Sequence, residues 1–245
     1  MNVVTFGSCL SRFTANNLTK IFGGRVVSSV YHNRSDVFYK RYLSKELGFE
    51  GLDDLLRMAS AVNDEGGDVD GNLLTILRNQ SPEHIGRHRL SRGELLFEAL
   101  ADQPDVILFD NYMDLAARLV SIPGVGNGDP YFIKLGKIEG AFETAQVGDY
   151  LSPDAGASYM EKILSHFSVI SPRSSLFFIN FPHNTYASQP DRVARTKAYE
   201  MAFKHGSVGV IPCLTVRKAF QTADKQHFNQ LQYAAYAGMI YQSLC

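Results

Sequence analysis

The stretch Val3-Val4-Thr5-Phe6-Gly7-Ser8-Cys9-Leu10 constrains the fold more than any other. Val3 to Phe6 reads as a buried strand, Gly7-Ser8 ends it, and a helix carrying Leu10, Phe13, Asn17 and Leu18 follows at once. Arg25 to Val30, a β-branched run behind Gly23-Gly24, predicts a second strand. Strand, helix, strand opens a βαβ unit, so a mainly parallel sheet covered by helices is expected. Ser8 would then stand at the carboxyl end of the first strand, where open α/β sheets bind ligands, with its N–H at a helix N-terminus. It is either a candidate nucleophile or simply the cap of that helix.

From about Tyr31 to Gln103 the pattern is helical and polar, which predicts a helical insertion overhanging the sheet edge; Ser91-Arg92-Gly93-Glu94 has the form of a capping box. Pro104 to Phe109 is an unbroken apolar run, as in a parallel strand buried on both faces. A short helix from Leu115 to Val120 is expected next, then a Gly- and Pro-rich loop with a short hairpin up to Pro153. Helical spacing returns at Tyr159, Ile163, Phe167 and Ile170. Ser174 to Asn180 predicts a fourth strand, Asp191 to His205 a helix, Val208 to Ile211 a fifth strand and Phe228 to Leu244 a terminal amphipathic helix. The expectation is one domain over residues 1–245, a three-layer α/β/α sandwich with five strands.

Charge narrows the partners. Twenty-four basic against 25 acidic residues leave a net charge of −1, so no global field recruits nucleic acid or an anionic membrane. No run approaches the roughly 20 apolar residues of a membrane span, and no basic segment leads into an apolar one at the N-terminus. A soluble, cytoplasmic protein with a small or carbohydrate substrate is expected. Cys9, Cys213 and Cys245 are too few and too scattered for a disulfide framework or a zinc site, which agrees with a reducing compartment; no cofactor is expected.

Chemistry enters at Asp224-Lys225-Gln226-His227, between the last strand and the last helix. A carboxylate three residues ahead of an imidazole can fix its tautomer and leave the other ring nitrogen free to take a proton. Alone, the pattern usually marks a surface turn. Together with Gly7-Ser8 it supplies a nucleophile, a base and an orienting acid.

On these two segments the chain resembles the SGNH/GDSL hydrolase superfamily, and is similar to a branch in which Gly-Asp-Ser becomes Gly-Ser-Cys, here Gly7-Ser8-Cys9. The resemblance implies a flavodoxin-like sheet of order 2-1-3-4-5 and metal-free acyl transfer by Ser8, His227 and Asp224. It also implies an oxyanion hole made by the serine N–H, a glycine N–H after the second strand and an asparagine after the third. Asn111 matches that asparagine by position. The glycine is missing, so Ser28, Ser29 or a neighbour would present the N–H. An esterase or deacylase of acyl or acetyl esters is the expectation; a carbohydrate O-acyltransferase or a silent carbohydrate-binding protein of the same fold are the alternatives.

Other residues carry weaker signals. Arg12, His183, Asn184, Tyr31 and His32 are expected near the functional edge as candidate substrate contacts, and Ser29 is a further one. Cys9 reads as a small packed residue rather than a reactive thiol. His84 and His88 have zinc-helix spacing but flank Gly86 and read as a solvated loop; Gly124, Gly126 and Gly128 form no dinucleotide fingerprint. Asp68 to Asn72 fails as a calcium loop at Gly66 and Leu77.

Overall fold

The computed structural model describes residues 1–64, 72–133, 144–224 and 226–245. Strand β1 (Asn2–Gly7) passes through Ser8 into helix α1 (Cys9–Phe22) and back to β2 (Arg25–Tyr31). Helix α2 (Ser35–Phe38) runs into a π turn over Tyr39–Leu43, and α3 (Leu52–Asp64), α4 (Asn72–Arg78) and α5 (Leu96–Ala101) precede β3 (Val106–Asp110). Then come α6 (Tyr112–Ala116), β4 (Arg118–Ser121), β5 (Gln146–Tyr150), α7 (Pro153–Ile170), β6 (Ser175–Ile179), α8 (Pro190–Ala202), β7 (Gly209–Ile211) and α9 (Gln230–Gln242).

The main sheet has the order β2-β1-β3-β6-β7, with every pairing parallel. Counted along these five strands, that is the expected order 2-1-3-4-5. Every strand side chain of β3 is buried, which explains why its sequence does not alternate. Helices α1 and α9 pack together on the sheet, while α7 packs against α8 and α5. The core is aromatic: Phe6 meets Phe38 edge-on at 4.7 Å and Phe167 at 6.1 Å, and Phe167 lies 5.4 Å from Phe109.

Several boundaries differ from expectation. The helix placed at Leu115 to Val120 is instead α6 followed by β4, because Arg118–Ser121 pairs antiparallel with β5 in a separate two-stranded sheet. Helix α5 does not open at Ser91: its N-cap is Leu95, whose N–H donates to Glu98 Oε2 at 3.3 Å. In the insertion, α3 and α4 build their own small core with Val120, Ile122, Tyr131 and Ile133. The Asp68–Asn72 motif falls mostly outside the described residues.

Residues 84–96 run along the outer edge of β2 and cap it. Ser29 N–H donates to Gly86 O (2.6 Å), His88 N–H to Ser29 O (3.4 Å) and Glu94 N–H to Val27 O (2.9 Å). The approach requires glycine: a Cβ at Gly86, whose φ is +92°, would sit 2.2 Å from Ser28 Oγ. This strap satisfies an edge that would otherwise expose unpaired backbone groups, and it brings His88 to the carboxyl end of the sheet.

Candidate active site

The carboxyl ends of β1, β2 and β3 meet at the first turn of α1. Asp110, the last residue of β3, holds that turn: its Oδ2 accepts the N–H of Ser8 (2.7 Å) and Ser11 (2.9 Å), and its Oδ1 accepts Tyr112 N–H (3.0 Å). The carboxylate fits because residue 7 has no side chain; a Cβ there would lie 2.4 Å from Oδ2. Placing a carboxylate under the first N–H groups of a helix is also favourable to its dipole.

Ser8 is the N-cap of α1. Its Oγ accepts Leu10 N–H at 3.1 Å, its N–H is committed to Asp110, and it is 4% exposed. The side chain facing the imidazole is the next one. His227 Nε2 lies 3.0 Å from Cys9 Sγ, across 218 residues of sequence, and the Tyr31 hydroxyl lies 2.7 Å from the same sulfur. The expectation that Cys9 merely packs is corrected by these contacts: the first residue of α1 points along the sheet edge into the site, whereas the cap residue before it turns its side chain back onto the helix.

His227 Nδ1 is held by a hydrogen bond with Asp224 Oδ2. Asp224 Oδ1 in turn accepts Thr222 Oγ1–H (2.7 Å) and the N–H groups of Gln226 (3.0 Å) and His227 (3.1 Å). Partial burial opposes ionisation of this carboxyl, but the bonds from Thr222, His227 and Gln226 outweigh it and hold the group well below the usual carboxylate range. His227 is pushed up to about 9, first by its hydrogen bond to Cys9, against a contrary effect of burial, and further by Asp224. Burial, followed by the charge of Cys9, drives the Tyr31 phenol far above its ordinary value, so it stays protonated.

A cleft of about 360 Å³ opens on this group, lined by Cys9, Arg12, Phe13, Asn16, Tyr31, His32, Ile76, His88, Arg89 and His227. Ser8 borders only a slot of about 10 Å³ between Cys9, Tyr31, Tyr112, Gln226 and His227. The insertion reaches the cleft through His32, Ile76, His88 and Arg89. His88 is not solvated: it is 5% exposed, its ring lies 4.5 Å from Tyr31, and burial lowers its pKa to about 3. A hollow of about 400 Å³ between Arg34, Lys40, Gln146 and Asp149 has no cysteine or histidine among its described lining residues.

The remaining expected residues divide. Arg12 lies in the cleft, one turn beyond Cys9, with its guanidinium donating to His88 O and to Arg89 O (3.1 Å). Asn111 is fully buried: its Oδ1 accepts Phe181 N–H (2.8 Å) and its Nδ2 donates to Asn180 Oδ1 (3.4 Å), tying the ends of β3 and β6 together. Ser29 is fully buried within β2, accepting a bond from Thr5 Oγ1 at 2.9 Å. Neither lines the cleft, and the Ser29 N–H is already taken by Gly86 O. His183 lies after β6, with Nδ1 3.0 Å from Cys213 Sγ, and is not in the cleft lining. Asn184 holds Val216 by two backbone bonds. The sequence reading placed Tyr31 near the functional edge but missed Cys9 as the group on His227; the signal was present, since Gly-Ser-Cys laid on Gly-Asp-Ser position by position puts cysteine where that family has serine.

No family model matches the sequence, and no curated protein matches it. Among solved structures the chain is similar to the crystal structure of a carbohydrate esterase family 2 enzyme plus carbohydrate binding domain from Corynascus thermopiles (Myceliophthora fergusii). Identity is 12% and the TM-score 0.42; the match covers 99% of this chain and 65% of that one. The chemistry therefore rests on the residues themselves.

Proposed function

We propose that the protein is a cysteine-dependent acyl-transfer enzyme that cleaves acyl or acetyl esters, with Cys9 as nucleophile, His227 as base and Asp224 as the residue that orients the imidazole. The observation that carries this is the placement of Cys9 Sγ 3.0 Å from His227 Nε2, with Nδ1 held by Asp224. With the single proton shared by Cys9 and His227 resting on Nε2, the thiolate attacks the ester carbonyl carbon while the π pair moves onto oxygen. Two donors can meet that oxyanion: the N–H of Cys9, which at the first position of a helix has no intrahelical acceptor, and the Tyr31 hydroxyl. Tyr31 ends the second strand, where the family pattern has its missing glycine. When the intermediate collapses, the C–O bond breaks and the alcohol leaves with the proton from Nε2, producing a thioester. Water, deprotonated by His227, then releases the acid and restores the thiol.

A sugar hydroxyl in place of that water gives O-acyl transfer. The cleft favours keeping this second reading, because it adjoins the thiol and combines hydrogen-bonding groups (Arg12, Asn16, Tyr31) with aromatic faces (Phe13, His32), which suits a hydroxyl-rich alcohol or acceptor.

The test is a short-chain nitrophenyl ester and acetylated sugars offered to wild type, Cys9→Ala and Ser8→Ala, with mass spectrometry of the trapped acyl-enzyme. Acylation at Cys9, abolished in Cys9→Ala and retained in Ser8→Ala, is expected. Acylation that persists in Cys9→Ala and vanishes in Ser8→Ala would return the nucleophile to Ser8.

A further inference from the structure

Three residues far apart in sequence converge at the other end of the sheet edge. His183 opens a short turn after β6, Glu200 lies on α8 and Cys213 follows β7. His183 Nδ1 and Cys213 Sγ are 3.0 Å apart, and one ligand atom from each of the three residues falls within 4.8 Å of the others. Around the sulfur, His183 donates its backbone N–H at 3.4 Å, and the Cys213 N–H donates to Glu200 Oε1 at 3.1 Å. All three residues are half-buried, so they are ordered by packing yet open to an ion.

We propose that His183, Glu200 and Cys213 form a zinc-binding site, separate from the acyl-transfer centre, that staples the short edge strand β7 to its neighbour β6. Imidazole, thiolate and carboxylate are a donor set suited to Zn²⁺, with a fourth position left for water. On binding, the Cys213 S–H bond breaks, the sulfur pair forms the metal bond and the proton goes to solvent. The thiolate and Glu200 then balance the charge of the dication. Without the ion, burial raises the Cys213 thiol and keeps it protonated, helped by the charge of Glu200 and opposed by the His183 N–H and Lys197. Strand β7 is a three-residue edge strand with two residues exposed, paired in parallel with β6; a metal shared by the chain ends of β6 and β7 would reinforce that pairing.

Cobalt(II), a spectroscopic stand-in for zinc, titrated into the full chain carrying Cys9→Ala tests this without interference from the active-site thiol. A sulfur-to-metal absorption band saturating at one equivalent, one proton released per ion and a higher Tm with added zinc are expected. Cys213→Ser in that background should lose the band and the Tm response, and Glu200→Gln should weaken cobalt binding roughly tenfold or more. If Cys213→Ser fails to fold by circular dichroism, Glu200→Gln and His183→Ala decide instead. No saturable band in the Cys9→Ala protein, a band that survives Cys213→Ser, or binding unaffected by Glu200→Gln and His183→Ala overturns the site.

Discussion

At the scale of single residues, Ser8 and Cys9 separate two jobs that the sequence presents side by side. Ser8 Oγ caps α1, so Ser8→Ala should cost about 1 kcal/mol, visible as a Tm lower by about 2–4 °C in a chain of this size, while acylation at Cys9 persists. Tyr31→Phe tests the other neighbour of the sulfur. Loss of one oxyanion donor lowers turnover by about 100- to 1,000-fold, so a comparable fall in kcat with little change in KM or Tm is expected; a loss confined to KM would make Tyr31 a binding residue only. Much of the candidate site was legible here, and for a physical reason: His227 and the carboxylate of Asp224 lie three residues apart, close enough for the spacing to define the contact. The proposed nucleophile was harder to read, because strand-end geometry decides which of two adjacent side chains faces the imidazole. Asn111 and Ser29 matched a position but not an environment, and only packing reveals that both are sealed between strands.

Among elements, the hand-over from β1 to α1 depends on a residue the sequence does not advertise. Asp110 ends β3, and its carboxylate accepts three backbone N–H groups from two different helix starts. Asp110→Ala leaves these donors buried without an acceptor, at about 1–3 kcal/mol each where water cannot replace the carboxylate. Asp110→Asn keeps the shape but removes the charge, so it should destabilise less. Hydrogen exchange at Ser8 and Ser11 should accelerate in both variants, with the larger effect in the alanine protein. The main strands were readable because burial on both faces leaves continuous apolar runs, as in Val106 to Phe109. The β4–β5 pair was not, since Arg118–Ser121 is a four-residue strand whose partner lies across a Gly- and Pro-rich loop, and local periodicity cannot distinguish that from one helical turn.

For the whole molecule, the proposed triad of Cys9, His227 and Asp224 joins the beginning of the chain to its end, so its ionisation contributes to global stability. In an unfolded chain His227 would titrate near its ordinary 6.5, whereas in the folded protein it titrates near 9. Protonation therefore favours the fold: the stabilisation is complete below about pH 6.5, declines above it and is lost as pH rises through about 9. Asp224 acts in the opposite direction. Its folded pKa is depressed, so its contribution is present above the ordinary carboxylate value of 3.8 and disappears as acid protonates it in the native state. Urea unfolding between pH 6 and pH 10 should show wild type more stable than His227→Gln at pH 6, with the gap closing above about pH 9. Cys9→Ala removes the hydrogen bond that most raises His227, so its gap should close at lower pH than in wild type. Ester cleavage should share the alkaline limb, because the departing alcohol needs the proton on Nε2. An activity profile still rising beyond pH 10, or a stability gap indifferent to pH, would remove the Cys9–His227 pair from both roles.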